Sequence, residues 1–192
     1  MSFMLLGILN SQAAGGGGGA YELLESTTLT SSANTITFSS LGSYSDYKHL
    51  QIRYSARSTS ANTNNGLSIQ FNGDTGSNYT FHRIQALTSS VDAYGRPSAS
   101  TTLSTGLVAG GTAQANTFAS GLIDVLDFSS TQRYKTVRTL NGLANTAGAG
   151  YAISLSSGAW LNANAITSIE FKAQSGSVDF GAGSRFSLIG VK

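Results

Sequence analysis

Few side chains in this 192-residue sequence can do acid–base or nucleophilic chemistry. Only His49 and His82 are able to act as general bases near neutral pH. Each sits in a strand-like stretch beside an aromatic, His49 near Tyr47 and His82 next to Phe81. A Ser–His–Asp set can be drawn on paper from His82, Asp74 and any of many serines, but no G-x-S-x-G elbow marks out a nucleophile. Asp124 and Asp127 stand three apart, which on a strand sends them to opposite faces and rules out a close carboxylate pair. The oxygen-rich run from Asn72 to Asn78 (NGDTGSN) lacks the spaced acidic set and terminal Glu of a calcium loop. A hairpin turn at Asn72-Gly73 explains it better. With no cysteine there is no thiolate nucleophile, disulfide or Cys-ligated metal, and no cofactor is expected. Sugar recognition keeps two candidate platforms: Trp160 with Asn162 and Asn164, and Tyr94 with Asp92 and Arg96. A sole tryptophan is as readily a core filler, and Tyr94 lies in the least regular region, where binding residues collect.

The elements that must position these residues are strands. Twenty-three glycines and a single proline among abundant Ser and Thr make poor helices, because interior glycine costs a helix about 1 kcal/mol relative to alanine. Leu50, Ile52, Tyr54 and Ala56 alternate with Gln51, Arg53, Ser55 and Arg57, the cleanest period-two run in the sequence. Similar runs cover Ile36 and Phe38, Leu67 to Phe71, a start near Tyr79, Tyr134 to Leu140, Tyr151 to Leu155, Ile169 with Phe171, and Phe186 with Leu188. Ser120 to Phe128 is apolar on both faces, as in a strand covered on two sides. Residues 87–117 read as long loops with one or two weak strands. Nine or ten short strands result, and the spacing predicts an all-β, jelly-roll-like antiparallel sandwich over residues 21–192.

Charged residues make up only 10% of the chain, against about 25% in a typical soluble protein, so its surface is mostly Ser, Thr, Asn and Gly. The net charge of +2 is scattered, which argues against a nucleic-acid partner.

Residues 1–14 open with an apolar run carrying Phe3, Met4, Leu5, Leu6, Ile8 and Leu9, and a Gly-rich linker covers residues 15–20. The run has no basic n-region, unlike a secretory signal, and falls short of the roughly 20 residues that span a bilayer. Two readings remain: a docking peptide that reaches another subunit on a tether, or a first strand of its own domain. Five glycines give a root-mean-square reach of about 12 Å.

Several stretches together resemble a family of small virion structural proteins of tailed bacteriophages. They are the apolar leader with its tether, Tyr21-Glu22, YKHLQIR from Tyr47, FNGDTGSNY from Phe71 followed by His82, IDVLDF from Ile123, KTVR from Lys135, ITSI from Ile166, and FSLIGVK from Phe186. The resemblance implies a non-enzymatic fibre, spike or decoration subunit of head or tail, located in the virion and assembled in the host cytoplasm. It also implies other capsid or tail proteins as partners and a homotrimer or higher symmetric oligomer, with the leader docked on the particle. In that setting Tyr79, Phe81, Ile123, Val125 and Asp127 are the expected subunit interface. A module for host receptor or surface glycan, and a secreted bacterial β-sandwich lectin, are the alternatives.

Overall fold

The computed structural model describes residues 19–144, 151–174 and 178–192. The docking residues Phe3, Met4, Leu5, Leu6, Ile8 and Leu9 lie outside them.

Twelve strands are found among the described residues. They are β1 (Tyr21–Thr28), β2 (Thr35–Phe38), β3 (His49–Ala56), β4 (Asn64–Phe71), β5 (Tyr79–Leu87), β6 (Ser90–Ser100), β7 (Leu103–Ala109), β8 (Ala119–Val125), β9 (Lys135–Leu143), β10 (Ala152–Trp160), β11 (Ile169–Ala173) and β12 (Arg185–Val191). All pair antiparallel, in one sheet of order β1-β12-β3-β8-β9-β10-β5-β6 and another of order β2-β11-β4-β7. With two hairpins set aside, the rest is a jelly roll: β1-β12-β3-β8 faces β2-β11-β4-β7. The hairpin β5–β6 is inserted between β4 and β7, and β9–β10 between β8 and β11. Both insertions extend the larger sheet past β8 by four strands.

The core follows from alternation in the jelly-roll strands. Leu50, Ile52 and Tyr54 of β3, Phe186 and Leu188 of β12, and Ile123 and Val125 of β8 meet Leu67, Ile69 and Phe71 of β4 and Phe171 of β11. Aromatic rings join the layers, with Phe171 and Phe186 at 5.0 Å and Phe71 and Trp160 at 5.7 Å between centroids. Gly121 faces Tyr54 across the β3–β8 pair, and a Cβ there would come within 2.5 Å of the tyrosine ring. Burial pushes the Tyr54 phenol well above its ordinary pKa, and its hydroxyl donates to the Leu107 carbonyl at 3.2 Å.

The Asn72-Gly73 turn forms as expected, with φ of 53° and 67° and the Asp74 N–H donating to the Phe71 carbonyl at 2.9 Å. It does not close a hairpin, because β4 and β5 belong to different sheets. The segment 87–117 departs further from expectation. The one or two weak strands expected there are two long ones, the eleven-residue β6 and the wholly buried β7, which take up most of what was read as loop. Burial on both faces removes the period-two signal from LSTGLVA, and the small residues fit a strand pressed from two sides.

Candidate functional surface

Cross-strand register assembles the candidate surface. On the outer face of the large sheet, Leu122 of β8, Leu140 of β9, Leu155 of β10, Ile84 of β5 and Ala93 of β6 form one continuous row. A second row on the same face holds Gly142, Ile153, Ala86 and Val91. The large aliphatics here are open to solvent: Leu140 50%, Leu155 58%, Ile84 59%, Ile153 57% and Val91 75%. So many exposed aliphatics on one face are what an interaction surface looks like. The face is hollowed on either side of its centre. One hollow of about 580 Å³ is lined by Leu155, Ile84, Ala93 and Arg138, and another of about 870 Å³ by Leu122, Leu140, Ile153 and Arg53. The His82 imidazole lies over Gly95, its cross-strand partner, where a Cβ would come within 2.2 Å of the ring.

The inner face of the same strands is polar at its centre. Thr139, Asn141, Ser154, Ser156 and Gln85 are all buried. Asn141 donates to the Leu107 carbonyl at 3.3 Å, Ser154 donates to the Asn141 side-chain oxygen, and Gln85 donates to Asp92 at 3.2 Å. The row Thr139–Ser156–Arg83 carries buried polar atoms with no protein partner: Thr139 Oγ1, Ser156 Oγ and Arg83 Nε. The period-two reading finds the strand at Tyr151 to Leu155 but cannot tell its two faces apart. Here the serines turn in and the aliphatics turn out.

The expected interface residues are corrected by burial. Tyr79, Ile123 and Val125 are fully enclosed and Phe81 nearly so, all within their own domain, so these side chains cannot meet a second subunit. The Tyr79 hydroxyl donates to the Asp74 carbonyl at 3.1 Å, and burial pushes its pKa up to about 12. Asp127 is the exception. It lies beyond the end of β8 at φ 50°, pairs with Arg133 at 3.1 Å, and its N–H donates to His49 Nδ1 at 2.9 Å. That nitrogen of His49 therefore anchors a backbone turn.

The glycan candidates separate. Trp160 is 1% exposed and its Nε1 donates to Asp74 Oδ2 at 2.6 Å, so it is a core residue and no sugar platform. Asn162 and Asn164 share a loop after β10, where Asn164 N–H donates to the Asn162 side chain at 2.9 Å. Asp92, Tyr94 and Arg96 do come together, but on the edge strand β6 rather than on a loop. The Tyr94 ring carries the Arg83 guanidinium at 5.3 Å from its centroid, and its hydroxyl accepts from Arg96 Nε at 3.0 Å.

The Asp74 carboxylate ties the Asn72-Gly73 turn to the end of β10. It accepts from Trp160, from Asn78 Nδ2 at 2.9 Å and from Gly76 N–H at 2.8 Å. Desolvation raises its pKa, but the hydrogen bonds from Trp160, Asn78 and Gly76 outweigh this and hold it below the usual carboxylate value. Among the described residues no cluster of three or more His, Asp or Glu could hold a metal. Compared with known proteins, the chain matches no family model, no curated protein and no solved structure.

Proposed function

We propose that this chain is a non-enzymatic structural subunit of a bacteriophage particle, a fibre, spike or decoration protein of head or tail that works by assembling with other proteins. The observation that carries the reading is the outward apolar face of β9, β10 and β5. Those aliphatics lie on regular strands, so no local rearrangement can turn them inward without shifting the register of the sheet. A chain that leaves them bare risks aggregation, and a particle neighbour that covers them removes that risk. The jelly roll supports the reading in a general way, since capsid proteins and lectins both use it. The sequence resemblance described above supplies the particle.

The test is mass spectrometry of gradient-purified particles from a lysate that expresses this chain. The proposal expects the chain in the particle fraction in multiple copies, and its loss there when Leu140, Leu155 and Ile84 are all changed to Ser. Recovery only in the particle-free fraction contradicts it. A host-glycan role would rest on Tyr94, Asp92 and Arg96, because Trp160 is buried.

A further inference from the structure

We propose that the hollowed outer face of β8, β9, β10 and β5 receives the apolar leader, Phe3 to Leu9, of a neighbouring copy of this same chain. The inference rests on the structural-subunit reading and names the partner of its surface. The first argument is dimensional. The row from Leu122 to Ala93 crosses five strands, four steps of about 4.8 Å, or about 19 Å. Seven extended residues from 3 to 9 cover six steps of about 3.4 Å, or about 20 Å. A leader laid across the strands would follow the row and fill both hollows, whereas two copies of a hollowed face pressed together would leave them empty.

The second argument is chemical. No charged side chain precedes Glu22, and the two apolar rows of the face carry none. Arg53 and Arg138 line the hollows and remain within reach of water at their rims.

The third argument is reach. Ten residues with coil statistics have a root-mean-square span of about 17 Å. The leader departs from β1, and β1 and β6 are the two edges of the large sheet. Within one copy, the near end of the row, at Leu122 of β8, lies three strand steps from β1, about 14 Å away. If β1 of one copy abuts β6 of the next, the near end of that next copy's row, at Ala93 of β6, is one step away, about 5 Å. Across the strands the neighbour's row is therefore nearer by two strand steps. Repeated head-to-tail, such a contact makes a ring where its rotation closes and a filament where it does not.

The absence of cysteine makes the test clean. Full-length L5C and full-length L155C are mixed and oxidised, with L5C plus S187C as the control, because Ser187 lies on the outer face of the jelly-roll half. Circular dichroism melts first confirm that each variant is folded. The inference expects a disulfide-linked heterodimer about tenfold above the control yield, as a docked segment at high effective concentration would give. L155C dimers formed without L5C would mean that the face meets its own copy, and would overturn the inference. Linkage only within the L5C/L155C double variant, never between chains, would overturn it as well. If L155C enters purified particles yet never links to L5C, the leader assignment fails while the structural-subunit reading stands.

Discussion

Strands β3 and β10 belong to the same sheet and carry the same period-two signal, yet they use it in opposite senses. In β3 the apolar set Leu50, Ile52, Tyr54 and Ala56 points into the sandwich, and Gln51, Arg53 and Ser55 point away from it. In β10 the inward set is Ala152, Ser154 and Ser156, and the outward set includes Ile153 and Leu155. The difference follows from what lies beneath each strand. β3 sits over the four-stranded sheet and its aromatic core. β10 sits over β7, whose Ser104 and Thr105 are themselves polar and buried. The jelly-roll half buries a core of large apolar side chains within the sandwich, whereas the inserted half leaves Ile84, Leu140, Ile153 and Leu155 open to solvent among the described residues.

The sharpest way to break this comparison is to delete the same kind of group from each half. Phe186→Ala, in the jelly-roll core, is expected to lower unfolding free energy by about 3–5 kcal/mol in urea titration. Leu155→Ala, on the outer face, should change the dispersed protein by no more than about 0.5 kcal/mol. Equal losses would mean that β10 is packed as β3 is.

Asp74 comes next, as the tie between the Asn72-Gly73 turn and Trp160 at the end of β10. Asp74→Ala is expected to cost about 2–3 kcal/mol by removing charge-assisted hydrogen bonds. The sign of the pH effect follows from the lowered carboxyl pKa. Its contribution is full above the unfolded-state value and falls away as acid takes the pH down through the lower folded value. The wild-type urea midpoint should therefore decline more steeply below about pH 4 than that of Asp74→Asn. Parallel profiles would remove Asp74 from this role.

The smallest effect is expected on the inner polar row. Thr139→Val and Ser156→Ala each delete a buried hydroxyl that has no protein partner. Thermal melts should show no loss, and a gain of up to about 1 kcal/mol. A clear loss would mean that these hydroxyls hold the inserted half together.

These contrasts also show what the sequence could reveal. The jelly-roll strands were legible because one face of each is buried and the other wet, so alternation and environment agree. The Asn72-Gly73 turn was legible because its backbone needs positive φ twice. β7 was not legible, since burial on both faces erases alternation. For β10 the alternation was visible, but period two does not say which face is inside. The expected interface failed at Tyr79, Ile123 and Val125 for a related reason: large apolar residues on strands are first of all core. The surface that does stand open, at Leu140, Ile153, Leu155 and Ile84, had no local mark to separate it from core.

The account stands or falls on whether that outward face is covered in the working assembly. Side-chain footprinting of the full-length protein, assembled and then dispersed, measures this directly. Labelling of Ile84, Leu140, Ile153 and Leu155 is predicted to drop sharply on assembly. If all four label as strongly in the assembly as in the dispersed chain, the face is no interface and the account is contradicted.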